Sequence, residues 1–448
     1  MNKALIDHYR CPGRFIDLRL EGQLSGEEGY FRFGEGAICY GRSASGFRAR
    51  LPEGTLYDVQ ADVATRGPSV LLPFDLAEIV NNLRLERHAK HFHLSTLSAW
   101  KQSLRSAYYV MRPYMHVNVR KRLQRAHLNG WRKRIFPRWP VDMTVEHLNE
   151  RLLWYSMKAQ GMDRVPFVWF WPEGARSCIV VTHDVETERG QAFCGELMDV
   201  NDSFGVKASF QLVPEERYKI SETLVQAIRK RGFELNMQDL NHDGHLFRDK
   251  QEFLRRARKI NSYGEFYGAR GFRAAVLYRN QEWYGALDFS FDMSVPNVAH
   301  LDPQRGGCCT VMPYFIGKML EIPLTTTQDY MLFHLLNDYS LDLWQEQTRT
   351  IVERNGLVSF LIHPDYVIEK RSRSVYLELL RFLRDLRSRE QLWFALPGEV
   401  DQWWRQRSKL QVVEHDGHWR IEGPGAERAR LAFAKVAGEH LEYQLDTQ

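Results

Sequence analysis

Apolar and polar positions follow two different periods along the chain, and each change of period marks a change of structure. Residues 15–20 and 29–40 alternate between apolar and polar side chains and are separated by glycine-rich turns. This alternation predicts short antiparallel β-strands. From Asp75 the apolar residues recur at helical spacing, behind an aspartate that can cap a helix. We therefore predict an N-terminal α+β region over residues 1–165.

Strand-like and helix-like segments then alternate through residues 166–405. The strand-like segments are residues 178–181, 206–213, 233–237, 271–273, 289–292, 320–324, 357–362 and 392–396. Repeated β–α units in one segment predict an α/β domain with a parallel sheet, most economically closed as a barrel, with a doubly wound open sheet as the alternative. The tail, residues 406–448, predicts a small C-terminal β unit with a hairpin that turns at Asp416-Gly417.

Polar residues follow two of these strands directly. The first strand ends on Thr182-His183-Asp184-Val185-Glu186. Because side chains alternate along a strand, Asp184 and Glu186 project to the same side. Two neighbouring carboxylates repel each other unless a cation or a proton separates them. Residues 233–237 also lead into a polar run, from Gln238 to His245. Polar groups after parallel strands are typical of an active site at the rim of an α/β barrel.

The composition indicates a cytoplasmic protein with reduced cysteines. The first residues lack the basic and then apolar pattern of a signal peptide, and no apolar run approaches the length of a membrane span. The six cysteines contain no Cys-x-x-Cys pair, and Cys308 and Cys309 are adjacent. This spacing favours buried packing residues over a disulfide framework or a zinc knuckle.

The positive charge is concentrated in one stretch. Formal net charge is only +5, yet residues 101–138 contain eleven lysines and arginines and no acid, with five aromatic residues interleaved and Trp139 directly after them. The favoured interpretation is a solvated helix face and linker, with arginine stems packed on rings. An anionic glycan or an acidic membrane surface is the second interpretation. Nucleic acid, bound through stacked bases, is the third and least favoured.

The motifs of the central segment, taken in order, resemble the polysaccharide deacetylases of the NodB-homology type, carbohydrate esterase family four. The run from Thr182 to Glu186 is similar to the family's first motif, which has two carboxylates after the first strand. Phe272-Arg273 resembles its third motif, Asp292-Met293-Ser294 the next strand end, and His363-Pro364 its last. The resemblance implies a deformed (β/α)7-type barrel and a divalent metal, with zinc expected, held by one carboxylate and two histidines.

The resemblance also implies a role for each polar residue. Asp184 matches the general base, Arg273 the arginine that orients it, and His363 the acid that protonates the leaving group. The implied metal ligands are Glu186, Gln238 and His242, and the implied substrate-binding residues are Asp243 and His245. Gln238 departs from the family, which has a histidine there. Because an amide oxygen is a weak ligand, such a site would hold its metal weakly, accept a harder ion, recruit Asp243 or His245, or lose the metal.

Two functions follow from this resemblance. The leading one is metal-dependent N- or O-deacetylation of an acetylated saccharide or polysaccharide precursor. The alternative is a catalytically degenerate glycan-binding or assembly protein on the same fold. Each motif also has a purely structural explanation: Asp184 and Glu186 as a loop pair, residues 242–245 as a turn, and His363 as a hydrogen-bonded core histidine.

Overall fold

The computed structural model of the protein describes residues 1–45, 49–89 and 130–446. The strands are β1 Leu18–Leu20, β2 Gly29–Arg32, β3 Ile38–Gly41, β4 Ala64–Arg66, β5 Ser69–Leu72, β6 Arg164–Val168, β7 Ser177–Val185, β8 Ser209–Leu212, β9 Glu234–Gln238, β10 Gly271–Arg273, β11 Phe291–Asp292, β12 Tyr314–Ile316, β13 Met319–Glu321, β14 Leu357–Ile362, β15 Leu392–Phe394, β16 Gln411–His415, β17 His418–Glu422, β18 Leu431–Ala437 and β19 His440–Leu445. The α-helices are α1 Asn2–Tyr9, α2 Leu76–Arg84, α3 Thr144–Ala159, α4 Glu188–Ser203, α5 Glu222–Lys230, α6 Lys250–Tyr267, α7 Asp342–Glu353, α8 Pro364–Val367, α9 Lys370–Arg389 and α10 Pro397–Arg407. Within the predicted basic stretch, residues 101–129 lie outside the described residues.

One nine-stranded sheet forms the centre of the molecule. Its strand order is β12-β13-β11-β10-β9-β8-β7-β14, and β15 pairs with the first half of β7. All pairs are parallel except the edge hairpin β12–β13. Helices connect most of the successive parallel strands, as a parallel sheet requires. The predicted α/β barrel is therefore confirmed in a deformed form.

Side-chain hydroxyls join the two ends of the curled sheet, where no backbone ladder connects β13 to β14 among the described residues. The Thr325 amide donates to Ser359 Oγ at 3.0 Å, and the Ser359 amide donates to Thr325 Oγ1 at 2.9 Å. The Thr325 hydroxyl also donates to the carbonyl of Leu357, and the Ser359 hydroxyl to that of Pro323. The barrel therefore closes through a pair of reciprocal hydroxyl bonds, which we call the hydroxyl seam.

The N-terminal region differs from the antiparallel unit predicted for it. The chain begins with α1, and β1 pairs in parallel with β5. A parallel pair needs a long crossover, and the residues between these two strands, which include β2 and β3, supply it. The hairpin β2–β3 is antiparallel, as the alternation predicts, and β4–β5 forms a second antiparallel hairpin.

The tail packs against the beginning of the chain. The predicted hairpin is present as β16 and β17, with its turn at Asp416-Gly417. A second hairpin, β18–β19, adds to β6 in antiparallel register. The hydroxyl groups of Tyr9 and Tyr443 lie 2.7 Å apart. One apolar core consequently includes residues from the N-terminal region, the sheet and the tail.

A buried ion pair fixes the N-terminal region to the barrel. Glu86, just after α2, accepts from Arg279 through both carboxylate oxygens, with Nε 2.6 Å from Oε2. The same carboxylate accepts from the amide of Gly307 at 2.6 Å. Both charged side chains are buried. Such a pair is stable only because each charge keeps its partner and its further hydrogen bonds.

Two sequence-based expectations concern membranes and cysteines. Among the described residues, no helix is long and apolar enough to cross a membrane. All six cysteines are reduced and buried, as their spacing predicts.

Candidate functional site

Most of the polar residues predicted for the site lie at one edge of the sheet. Gln238 is the last residue of β9 and Arg273 the last of β10. Glu186 follows β7 directly and His363 follows β14 directly. Parallel strands end at the same edge, so residues far apart in sequence meet there.

Glu186 is the centre of the cluster. Its Oε1 lies 2.7 Å from His242 Nε2 and 3.4 Å from His363 Nε2. Burial raises the pKa of Glu186, but the charges of the two imidazoles more than offset it and hold the pKa well below its usual range. Burial likewise lowers the pKa of His242, and the Glu186 charge outweighs it, so that this pKa is raised. The result is an ionised carboxylate between two imidazoles that favour protonation.

Backbone strain accompanies His242. His242 and Asp239 have φ of 55° and 50°, in the left-handed region that residues with a side chain rarely adopt. Strain of this kind persists only where the surrounding structure holds it. The loop after β9 is therefore held in the conformation that brings His242 to Glu186.

Gln238 joins the two carboxylates. Its Nε2 donates to Asp184 Oδ2 at 3.1 Å and lies 3.4 Å from Glu186 Oε1. Its Oε1 is buried and has no hydrogen-bond partner among the described residues. The side chain thus presents a donor to the two acids, and a rotation of the amide by 180° would present its oxygen instead.

Arg273 lies beside Asp184 in the barrel interior. Its Nε is 3.7 Å from Asp184 Oδ1, and its Nη2 donates to the hydroxyl of Thr182 at 3.1 Å. Burial raises the pKa of Asp184, and the Arg273 charge opposes that rise without cancelling it. Asp184 is thus a buried carboxyl that takes up a proton more readily than an exposed aspartate.

Asp329 belongs to the site, although the motifs do not point to it. Its Oδ1 lies 2.6 Å from His363 Nδ1, and its Oδ2 accepts from the His363 amide at 2.7 Å. Burial lowers the pKa of His363, but Asp329 and then Glu186 raise it well above its usual value. The sequence signal for Asp329 is a polar run after a strand, residues 325–329, which is the same signal that marks Asp184.

Asp243 and His245 lie apart from this cluster. Asp243 forms a two-pronged salt bridge with Arg256 on α6, with both N–O distances 2.8 Å. It also accepts from the amide of His245, whose side chain is half exposed. The structure therefore gives Asp243 a turn-forming and ion-pairing role, and its expected contact with substrate stays a prediction.

The site has ligand atoms that fit a divalent cation. Asp184, Glu186 and His363 each offer one, and these atoms lie within 4.8 Å of one another. Asp184 Oδ1 is buried without a hydrogen-bond partner among the described residues, as is Gln238 Oε1. Carboxylate and amide oxygens with an imidazole nitrogen are a donor set for zinc or a harder divalent ion. The grouping includes one predicted ligand, Glu186, and two residues predicted as catalytic.

Aromatic rings extend from His363 along the rim. The Tyr366 ring is centred 4.9 Å from the His363 ring, and the Tyr330 ring 6.0 Å from that of Tyr366. His334 packs edge-on against Tyr366 with centroids 4.6 Å apart. All three are partly exposed. One wall of the site is thus aromatic, a surface type that suits contact with the apolar face of a sugar.

Comparison with known proteins finds similarity in solved structures. No family model matches the chain, and no curated protein matches it. A Mycobacterium smegmatis protein assigned as a polysaccharide deacetylase is 15% identical, with a TM-score of 0.42 over 53% of this chain and 93% of its own. The allantoinase Puue is 13% identical, with a TM-score of 0.40 over 52% and 92%. A mutant of a pseudoenzyme of carbohydrate esterase family four, with restored enzymatic activity, is 13% identical, with a TM-score of 0.34 over 51% and 68%. Polysaccharide deacetylases are thus among the solved structures to which the chain is similar.

Proposed function

We propose that the protein is a metal-dependent hydrolase that removes acetyl groups from the amino or hydroxyl positions of a saccharide. The observation that supports this most strongly is the convergence of two carboxylates, two imidazoles and an arginine at one edge of the barrel. Hydrolysis of an amide needs an activated water, a stabilised oxyanion and a protonated leaving amine. The side chains at the site have the acid–base character for these tasks.

Glu186, Gln238 and His242 would hold the cation, with Asp184 and His363 close enough to share it. A bound divalent cation lowers the pKa of a water ligand and polarises the acyl oxygen. Gln238 would then present its oxygen, because its amide hydrogens repel a cation. An amide oxygen is a weaker ligand than imidazole, so we expect a lower affinity for zinc than a carboxylate with two histidines provides.

Asp184 is suited to accept the proton of the attacking water. Burial raises its pKa, which brings it nearer to the range in which a general base works best. The charge of Arg273, 3.7 Å away, opposes that rise and so favours the ionised carboxylate. The water proton would pass to Asp184 as its oxygen bonds to the acyl carbon.

His363 is suited to return a proton to the leaving group. Asp329 raises its pKa and fixes its Nδ1, so that Nε2–H faces the carboxylate of Glu186. When the C–N or C–O bond breaks, this proton would pass to the amine or hydroxyl of the sugar. The products are acetate and the saccharide with a free amine or hydroxyl group.

A second candidate is a glycan-binding protein without hydrolysis. The hydrogen bond from Gln238 to Asp184, with its close approach to Glu186, favours it, because the amide nitrogen already neutralises part of their repulsion. In that case the acids need no metal to remain together, and the aromatic wall beside His363 would bind the saccharide.

Metal titration of the wild type and of two variants distinguishes the candidates. Zinc, cobalt and manganese are titrated in turn while acetate release from acetylated amino-sugar oligomers is measured. Gln238→His supplies an imidazole and should raise zinc affinity at least about tenfold, with acetate release at lower metal concentration. Gln238→Leu, whose side chain has neither a donor nor an acceptor, is the control and should lose affinity. Metal binding to none of the three proteins, with no acetate release, would refute the metalloenzyme and leave the glycan-binding protein.

A further inference from the structure

An aromatic and cationic surface continues outward from the aromatic wall of the site. It consists of Trp131, Arg134, Trp139, Arg305 and Tyr330, and we call it the aromatic–cationic surface. Trp131 packs edge-on against Trp139 with ring centroids 4.8 Å apart. Both tryptophans and Tyr330 surround the buried side chains of Leu301 and Met331. The three rings remain partly exposed, so this small core holds them at the surface.

The aromatic–cationic surface carries several positive charges that lie close enough to repel each other. Arg134 donates to the carbonyl of His300 at 2.7 Å, which fixes its guanidinium beside the tryptophans. Burial and then the nearby charge of Arg305 lower the pKa of Arg134 to about 10, against an opposing contribution from Glu53. Arg132 and Lys133 extend the charge as exposed neighbours. Like charges held together in this way favour an anion between or above them.

The aromatic–cationic surface is continuous with the candidate functional site. Tyr330 follows Asp329, the carboxylate that bonds to His363, and its ring lies 6.0 Å from that of Tyr366. On its other side Tyr330 belongs to the same cluster as Trp139. A chain-like ligand with one unit at His363 would therefore reach the tryptophans with its following units.

We propose that the aromatic–cationic surface binds the continuing part of an acidic oligosaccharide whose acetylated unit occupies the site. This inference rests on the proposed function and adds to it the substrate class: a saccharide of several units that carries anionic groups. Tryptophan and tyrosine faces pack against sugar rings, and guanidinium groups pair with carboxylates, phosphates or sulfates. The chain's own residues 101–129 are an unsuitable occupant, because they carry seven basic residues and no acid.

Binding measurements test the surface without any need for catalysis. Calorimetry with the full chain compares three hexasaccharides: a neutral N-acetylglucosamine hexamer, an alternating N-acetylglucosamine–glucuronate hexamer, and a sulfated N-acetylglucosamine hexamer. The wild type should bind the anionic hexamers at least about tenfold more tightly than the neutral one, with an advantage that falls as salt rises. The carboxylated and sulfated probes distinguish the two sources of negative charge.

Two kinds of variant separate the aromatic from the cationic contribution. Trp139→Ala should weaken binding of all three hexamers at least about tenfold, and the exposed double variant Arg132→Gln with Lys133→Gln should weaken only the anionic ones. Phe266→Ala, which removes an exposed ring on α6, is the matched control and should leave affinity unchanged. Urea midpoints for all variants identify any loss of folding, and if Trp139→Ala unfolds, the double variant alone still tests the charge.

Equal affinity of wild type and folded variants for every hexamer would overturn the proposal, even if acetate release confirms the proposed function. Variant-dependent saccharide binding in a protein that releases no acetate would uphold the surface and refute the hydrolase. If the same variants instead weaken binding to single-stranded RNA or to vesicles of anionic lipid, with no effect on saccharides, the partner is of another class and the inference is wrong.

Discussion

At the residue scale, His363 is the side chain with the most specific surroundings. One ring nitrogen lies against Asp329 and the other faces Glu186, so its orientation is set from both sides. An imidazole held in this way differs from a core histidine, because its second nitrogen faces the carboxylate of Glu186. Its contribution should depend on how much the leaving group needs a proton.

His363→Ala should therefore affect amide and aryl ester substrates differently. Release of acetate from an N-acetylated saccharide should fall by about 10²–10⁴-fold, because a departing amine must be protonated. Hydrolysis of p-nitrophenyl acetate should fall much less, because nitrophenolate leaves without a proton. Comparison of kcat for the two substrates measures the effect.

The control for this prediction is His415→Ala, which removes an exposed histidine in the tail hairpin that pairs with Glu422. Its kcat should match the wild type on both substrates. An equal loss on amide and ester in the His363 variant would contradict a proton-donating role and indicate a role in binding or folding.

Sequence reasoning located Asp184, Glu186 and His363 because each follows an apolar strand, and parallel strands end at one edge. It missed Asp329, whose partner lies 34 residues further along the chain. No local sequence pattern predicts that Asp329 and His363 pair, because the alignment of their two segments depends on how the barrel closes. It also could not reveal that Asp243 pairs with Arg256 on α6, because that contact depends on how the loop after β9 packs against the helix.

At the scale of elements, helix α3 combines an apolar face with a buried acid. Glu146 accepts from the Thr310 hydroxyl, while its second oxygen has no partner among the described residues. Burial raises its pKa to about 7, against the lowering effect of the Thr310 hydrogen bond and the Arg84 charge. The carboxyl is therefore neutral in the folded protein over a range of pH in which it is ionised in the unfolded chain.

Glu146→Gln should make stability less dependent on pH. In the wild type the folded state binds the extra proton between about pH 4.5 and 7, so the free energy of unfolding falls as pH rises through that window. A shift of this size corresponds to about 3 kcal/mol at full burial. Glutamine keeps the acceptor for Thr310 and has no proton to lose. The free energy of unfolding of the variant should therefore fall less than that of the wild type as pH rises.

Urea unfolding at pH 4.5, 5.5, 6.5 and 7.5 measures this difference. Glu439→Gln, at an exposed position in the tail, is the matched control and should follow the wild-type dependence. Parallel curves for wild type and Glu146→Gln would show that Glu146 is ionised in the folded state.

The elements themselves were predictable where the pattern is long and regular. The central strands and the hairpin at Asp416-Gly417 occur close to their predicted positions. Helix α1 was not predicted, because eight residues of mixed polarity give a weak periodic signal. Its place depends on long-range packing, such as the hydrogen bond between Tyr9 and Tyr443.

At the scale of the whole molecule, the Glu86–Arg279 pair connects two regions that the sequence presents as separate. Each partner is buried, so the loss of one leaves the other charge without compensation. Removing one partner costs more free energy than the intact pair contributes. The remaining charge stays buried and still bears its desolvation penalty, but no opposite charge offsets it.

A double-mutant cycle should show this asymmetry. Glu86→Gln and Arg279→Met should each lower the free energy of unfolding by about 3–5 kcal/mol. The double variant should be less destabilised than the sum of the two, since it leaves no uncompensated charge. Urea unfolding at pH 7 measures all four proteins.

The exposed pair Arg66–Glu21, 3.4 Å apart, offers a comparison within the same chain. Its single and double replacements should be nearly additive, because solvent screens exposed charges. Additivity at Glu86 and Arg279 as well would show that the buried pair does not couple the N-terminal region to the barrel.

The hydroxyl seam has a consequence for how the site is aligned. In a backbone ladder, two strands can slip by a pair of residues and recover most of their hydrogen bonds. Thr325 and Ser359 bond through their side chains, and no such slip restores both bonds. Asp329 lies four residues beyond Thr325, and His363 four residues beyond Ser359. Thr325 and Ser359 therefore fix the register of the two segments. Because Asp329 and His363 lie at the same spacing from them, the acid and the imidazole come to lie side by side.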